Sequence, residues 1–339
     1  MDCRNFAGYF PESIINKTDH SLDTVSTPNF SDIMDAAARI KPYANRTPVL
    51  TSRSLNEITV SELYFKCENF QRAGAFKFRG ACNAVFSLSD IDAEKGVATH
   101  SSGNHGQSLA LAAKLRGIPA HIIMPDNSPK IKIAAVKGYG ATVTLCESNQ
   151  KAREEMLQKV VDQTGATFIH PYDNERVIAG QGTAAKELLE EIPDLDFILA
   201  PVGGGGLMSG TSIAAHHIKP EIKIIGTEPE MANDAYLSLK SGARQFPDTT
   251  KTVADGLRTT LSERTFTIIQ NHADDIVTVS EESIIRAMRL IWERMNIIIE
   301  TSCAVPFAAI LEDKVDVKGK KAGIILTGGN VDLDLLPWQ

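Results

Sequence analysis

Short runs rich in Val, Ile and Leu recur along the chain. Each ends at a glycine, proline or small polar joint and gives way to a longer stretch with helical spacing of its apolar residues. The strand-like runs are Leu63–Glu68, Gly96–His100, Ala120–Met124, Thr142–Leu145, Thr167–Ile169, Phe197–Val202, Lys223–Gly226, Asp275–Val279 and Gly323–Leu326. Helical patterns fall at 105–116, 129–138, 149–163, 175–191, 206–217 and 281–295. Near-continuous apolar strands alternating with helices predict an α/β fold, with parallel sheets covered by helices on both faces. Eight or more strands exceed one comfortable sheet, so two α/β domains with a cleft between them are expected. Residues 1–28 are polar and irregular and read as a loose, flexible extension; Ser31 is placed to cap a helix that ends before Pro42.

A length of 339 residues suits one large domain or two ordinary ones. A net charge of −7, with no Lys/Arg cluster, argues against a nucleic-acid partner. No apolar run reaches the ~20 residues that span a membrane, and the first residues lack the basic-then-apolar order of a signal peptide. The five cysteines are scattered, odd in number and without a CxxC pair, which reads as reduced thiols in a cytoplasmic protein.

Five joints carry chemistry. Lys77 lies between Phe76 and Phe78, just after a strand and in the first turn of a helix. Aromatic desolvation and the positive helix end both disfavour an ammonium, leaving an amine able to attack an aldehyde; a snorkelling lysine on an amphipathic helix is the bland alternative. His100-Ser-Ser-Gly-Asn-His-Gly-Gln107 joins a strand to a helix and offers Ser101, Ser102 and the Asn104 amide, which can grip a carboxylate or a phenolate oxygen. Pro201-Val-Gly-Gly-Gly-Gly-Leu-Met-Ser-Gly210 strips the approach to a helix N-terminus of side chains, suiting a phosphate monoester. Its spacing is also a near miss to a dinucleotide fingerprint, with Glu228 about 20 residues on. Glu228, Glu230 and Asp234 cluster on one turn after a strand, either as a solvated acidic loop or as oxygen ligands for Mg²⁺ or Ca²⁺. Leu326-Thr-Gly-Gly-Asn330 closes the last strand with a hydroxyl that could meet a planar ring edge-on.

Taken together, Ala75-Phe-Lys-Phe-Arg-Gly80, Ser101-Ser-Gly-Asn-His-Gly106, the Gly203–Leu207 run and Thr327-Gly-Gly-Asn330 resemble the fold-type II pyridoxal phosphate enzymes. The likeness runs from about residue 45 to 332 and is nearest the branch of serine racemases and serine/threonine dehydratases. It implies a tryptophan synthase β-like architecture. A large cofactor-binding domain would be built from 29–95 and 174–339, a small one from 96–173, with the active site in the cleft. Lys77 would hold the cofactor aldehyde covalently, with Phe76 packed behind the ring. Asn104 would bind its phenolic oxygen, Gly203, Gly204, Gly205, Gly206 and Leu207 its phosphate, and Thr327 would face the ring nitrogen. A neutral hydroxyl there makes the ring a weaker electron sink than a carboxylate would, favouring prompt reprotonation or β-elimination over transamination. Ser101, Ser102, Asn104 and His105 would hold the substrate. The divalent cation site of the family maps to Glu228, Asp234 and the carbonyl of Ala232, and the resemblance implies a homodimer. Its nucleotide site matches poorly at Arg53, Ser54, Arg72 and Ala73, so ATP regulation is not carried over.

Ser102 separates the branches. The resemblance puts alanine here in most dehydratases, and in racemases a serine facing Lys77 across the cofactor. Racemisation removes a proton on one face and returns one on the other, which takes two bases. The implied activity is therefore interconversion of L- and D-serine, with loss of water from serine to give pyruvate and ammonia. Some 3-hydroxyaspartate dehydratases carry the same Ser-Ser-Gly-Asn, so an ammonia-lyase of 3-hydroxyaspartate, serine or threonine is the alternative; a nicotinamide-dependent oxidoreductase stands third.

Overall fold

A computed structural model describes residues 26–338. The first 25 residues of the expected extension, with Cys3, lie outside the described residues. The strands are β1 (Val49–Leu50), β2 (Glu62–Cys67), β3 (Val97–His100), β4 (Ala120–Pro125), β5 (Thr142–Cys146), β6 (Thr167–Phe168), β7 (Phe197–Pro201), β8 (Lys223–Pro229), β9 (Asp275–Val279) and β10 (Lys321–Leu326). They form a six-stranded sheet in the order β1-β2-β10-β7-β8-β9 and a four-stranded sheet in the order β5-β4-β3-β6. Every pairing is parallel except that of β1 with β2. The fold is thus the α/β arrangement with parallel sheets expected from the strand–helix alternation, divided between two sheets as the fold-type II resemblance implies.

Some details differ from the sequence reading; the helix Glu263–His272, for one, is absent from it. Asn29, not Ser31, caps the first helix, Phe30–Ile40: its side chain accepts from the N–H groups of Ser31 and Asp32, and Asp32 returns a bond to the cap. The helix Thr301–Leu311 carries no amphipathic signal because it is buried on nearly every side, and such runs show no period to read.

The six-stranded sheet is covered on both faces. Phe65 of β2 meets Phe307 of the Thr301–Leu311 helix edge-on, with ring centroids 6.2 Å apart, in the core on one side. On the other side the helices Glu175–Glu191 and Gly206–Ile218 press together. A Cβ on Gly210 would fall 2.4 Å from the Ile178 carbonyl oxygen and 2.5 Å from the Gly182 nitrogen, so only glycine permits this approach.

A buried ionic lattice fixes the helix that begins at Lys77. Arg79 is fully enclosed, and its Nε and Nη2 donate to the two oxygens of buried Glu68 at 2.7 and 2.8 Å. Its Nη1 and Nη2 also reach the Glu187 carboxylate, each at 2.8 Å. Lys66 of β2 donates to Glu187 and to the Thr47 carbonyl, both at 2.7 Å. Two cations and two carboxylates satisfy one another, which is the condition under which buried charge is tolerated. The helix Lys77–Phe86 is thereby tied to β2 and to the helix Glu175–Glu191.

Candidate active site

The strand order brings the chemistry-bearing joints side by side. The Lys77 loop leaves β2, the Thr327 loop leaves β10, the glycine turn leaves β7, and Glu228 lies near the end of β8: four neighbouring strands with their carboxyl ends along one edge. The Ser101–Gly103 loop leaves the carboxyl end of β3 in the other sheet. Open parallel sheets bind ligands beyond the carboxyl ends of their strands.

Hydrogen bonds clip the Lys77 and Thr327 loops together. The Phe76 N–H donates to the Thr327 carbonyl and the Gly329 N–H to the Gly74 carbonyl, both at 2.9 Å, around an antiparallel bridge between Ala75 and Gly328. Lys77 is the first residue of its helix, and its Nζ donates to the Pro171 carbonyl at 3.1 Å and stands 5.1 Å from the centroid of the Phe76 ring. Burial pulls its amine down to about 8, against a smaller upward pull from Glu300. The direction is the one expected of a desolvated amine.

On the β3 loop, the Gly103 N–H donates to the Ser101 hydroxyl at 3.3 Å. Ser102 is half-buried, and its hydroxyl has no hydrogen-bond partner among the described residues. Asn104 opens the helix Asn104–Arg116 with its amide spoken for at both ends. His105 is enclosed; because a carbonyl can only accept, its Nε2 carries the proton given to Ile169 at 3.0 Å. Burial, then the Lys77 charge, push His105 down to about 3, so it stays neutral. His170 is likewise neutral, its Nδ1 accepting from the N–H groups of Tyr172 and Asp173 at 3.3 and 2.8 Å.

The glycine turn ends in Gly205, at φ 83, and no side chain caps the helix Gly206–Ile218 behind it. The first N–H groups of that helix are therefore free for an anion. The Tyr172 ring closes over the turn: a Cβ on Gly204 would fall 2.3 Å from Tyr172 Cδ1. Thr327 is buried, and its hydroxyl lies 3.2 Å from the Cys303 sulfur. An amine near an aromatic face, a carboxamide, an uncapped glycine turn and a buried hydroxyl fit the aldehyde, phenol, phosphate and ring nitrogen of pyridoxal phosphate.

The acidic turn sits beside this edge. Glu228 and Asp234 are both buried; Glu228 accepts from the N–H groups of Ala235 and Tyr236 at 3.1 and 2.7 Å, and Asp234 from that of Leu261 at 2.8 Å. Burial, and for Glu228 the Asp234 charge as well, raises both carboxyls, Asp234 to about 7. Among the described residues no group of three or more His, Cys, Asp or Glu is gathered as a metal cage. Two adjacent buried carboxylates without a paired base do fit a hard cation completed by backbone carbonyls and water.

Three participants escaped the sequence reading. The sequence does not single out Tyr172, and Cys303 reads there only as a reduced thiol. Glu300 follows Ile297-Ile-Ile, and an acid in so apolar a run is a signal that could have been followed. Its carboxyl accepts from Asn104 Nδ2 at 2.9 and 3.1 Å, and burial, then Asp255, push it up to about 7.

Comparison with known proteins identifies the family. Residues 40–328 match the family model described as pyridoxal-phosphate dependent enzyme. The chain is 51% identical to the beta-hydroxyaspartate dehydratase of Paracoccus denitrificans (strain Pd 1222) over 312 residues, covering 92% of this chain and 99% of that one. It is 50% identical to the serine racemase of Dictyostelium discoideum over 318 residues, covering 92% and 98%. The crystal structure of that racemase superposes with a TM-score of 0.86, covering 91% of this chain and all of the other. The chain belongs to the pyridoxal-phosphate dependent enzyme family and is similar throughout its fold to serine racemases and to hydroxyaspartate ammonia-lyases.

Proposed function

We propose that the protein interconverts L- and D-serine and also eliminates water from serine, giving pyruvate and ammonia. The observation that carries this reading is the Ser102 hydroxyl, half-buried and unpartnered among the described residues, on a loop from the opposite sheet to Lys77. Lys77 and the Gly203–Leu207 turn would hold pyridoxal phosphate, with Asn104 on its phenolic oxygen, Thr327 on its ring nitrogen and Phe76 against its ring. When bound, the cofactor supplies the sink for the electrons left at Cα once its proton is taken. Lys77 Nζ takes the Cα proton on one face, and its lowered pKa leaves a useful fraction of free amine near neutral pH. Ser102 Oγ gives and receives the proton on the other face. Ser101 and the turn around Asn104 and His105 hold the substrate carboxylate.

Glu228, Asp234 and the Ala232 carbonyl form the proposed Mg²⁺ or Ca²⁺ site, supported by the burial of two carboxyl groups side by side there. Residues 96–173 would act as a small domain closing on the remainder, and the working unit would be a cytoplasmic homodimer. No helix among the described residues is long and apolar enough to cross a membrane.

Incubating the enzyme with L-serine and following both products tests the reading. D-Serine and pyruvate should accumulate together. Pyruvate without D-serine, or a large preference for 3-hydroxyaspartate, would favour the second reading, an ammonia-lyase with little racemase activity. That reading is supported by a 50% identity to the L-threo-3-hydroxyaspartate ammonia-lyase of Saccharomyces cerevisiae, as high as that to the racemase above.

A further inference from the structure

Glu300 is a carboxyl that the proposed reaction does not use as an acid or a base. It is 7% exposed, at the mouth of the Thr301–Leu311 helix, and its backbone N–H donates to the Gly328 carbonyl at 3.0 Å. Both its oxygens accept from Asn104 Nδ2, at 2.9 and 3.1 Å. The opposite end of the same amide is engaged too. Asn104 Oδ1 accepts from Asn330 Nδ2 at 2.9 Å, and Asn330 Nδ2 also donates to the Ala73 carbonyl at 2.8 Å.

A carboxamide has one accepting end and one donating end, and a carboxylate only accepts. Turning Asn104 over would set its oxygen against Glu300 and its NH₂ against that of Asn330, losing both bonds at once. The two neighbours therefore permit a single orientation. They also leave little room to drift: a Cβ on Gly328 would fall 2.8 Å from Glu300 Oε1, and one on Gly74 would fall 2.5 Å from Asn330 Oδ1. Of the two Asn104 N–H donors, one serves Glu300 and one remains to be given.

We propose that Glu300 and Asn330 are positioning residues that clamp the Asn104 amide from its two ends, so that its remaining N–H is presented to the phenolic oxygen of bound pyridoxal phosphate. This rests on the reading of Asn104 given above. Glu300 meets the amide with both of its oxygens, whereas Asn330 meets it with one nitrogen.

The test uses the cofactor alone. Apo wild type, Glu300→Ala, Glu300→Gln, Asn104→Ala and the Asn104→Ala/Glu300→Ala double variant are titrated with pyridoxal phosphate, reading Kd and the absorbance maximum of the bound cofactor. Asn104→Ala and Glu300→Ala should each weaken binding by ~10-fold or more, as expected for loss of a hydrogen bond of this kind, and share one displaced absorbance band. Glu300→Gln keeps an oxygen that can accept from Asn104, and should restore the wild-type band with Kd within about threefold. The double variant should be no worse than Asn104→Ala, since residues acting through one another are not additive. Should Glu300→Ala fail to fold by circular dichroism, Asn330→Ala reaches the same amide from its other end and should displace the band, while Glu300→Gln does not. A wild-type Kd and band in Glu300→Ala would overturn the proposal, as would damage from Glu300→Gln equal to that from Glu300→Ala, or losses that multiply in the double variant. If Asn104→Ala itself leaves Kd and band untouched, the error lies in placing Asn104 on the cofactor, and the clamp falls with it.

Discussion

Burial draws the Lys77 amine down to about 8, which suits the nucleophile and base proposed for it. Replacing it with alanine should abolish turnover and the cofactor's lysine-bound absorbance while the far-ultraviolet circular dichroism stays that of wild type; residual wild-type activity would remove Lys77 from its role. Lys77 was legible because its cues are local: a strand, a loop, a helix start and two flanking phenylalanines. Ser102 and Asn104 were legible for the same reason, as specialised residues on one strand-to-helix turn. Glu300 was not, because its partner Asn104 lies 196 positions away in the chain and no local pattern announces that pairing. Tyr172 escaped similarly: its importance comes from the Gly204 backbone it covers, which belongs to another joint.

Between strand and helix lie the glycine turn and the acidic turn, each with its own proposed ligand. The glycine run reads as a candidate anion cup from composition alone, but which anion it suits depends on the whole set of joints. Gly204→Ala should lower pyridoxal phosphate affinity by an order of magnitude or more, because its Cβ would fall 2.3 Å from the Tyr172 ring and push either the turn or the ring out of place; an unchanged Kd would show that the ring yields freely. The acidic turn was ambiguous in sequence, since solvated acidic loops look the same. The structure buries Glu228 and Asp234 together, which a solvated loop would not do. Removing divalent cations with a chelator should lower thermal stability and activity together, with Mg²⁺ or Ca²⁺ restoring both by mass action on the folded state. Glu228→Ala should no longer respond to the chelator; a response equal to that of wild type would exclude the acidic turn as the cation site. Among helices, Thr301–Leu311 was hidden by its burial on nearly every side, and Glu263–His272 was missed although its apolar residues keep a helical spacing.

Across the molecule, the strand alternation was enough to establish two parallel sheets, but not the order β1-β2-β10-β7-β8-β9 that sets the last strand between the second and the seventh. Pairing over such distances leaves no trace in local periodicity. The same is true of the Arg79–Glu68–Glu187–Lys66 lattice, which draws on separate stretches of chain. Burial alone would raise the Glu187 carboxyl, yet Arg79 and then Lys66 outweigh it and hold the group below its ordinary value. A depressed carboxyl contributes stability that is present above its unfolded pKa of about 4.3 and is lost as pH falls through the lower folded value. Glu187→Gln should therefore cost on the order of 3 kcal/mol near neutral pH, the scale of breaking a buried ion pair. It should also lose less further stability than wild type on acidification to about pH 3. Thermal melts of the two proteins that run parallel over that range would show the lattice to be energetically idle.

The central claim is that the two sheets contribute one base each, Lys77 from the six-stranded sheet and Ser102 from the four-stranded one. Ser102→Ala removes one hydroxyl and adds no bulk, so folding and cofactor binding should survive. With L-serine, this variant should lose racemisation by ~10²–10⁴-fold, the usual contribution of a general acid or base, yet keep much of its pyruvate formation, which needs only the Lys77 face. With D-serine, whose Cα proton faces Ser102, it should lose both reactions. Interconversion of the enantiomers at near the wild-type rate in Ser102→Ala would contradict the account and leave Ser102 a turn residue in an ammonia-lyase.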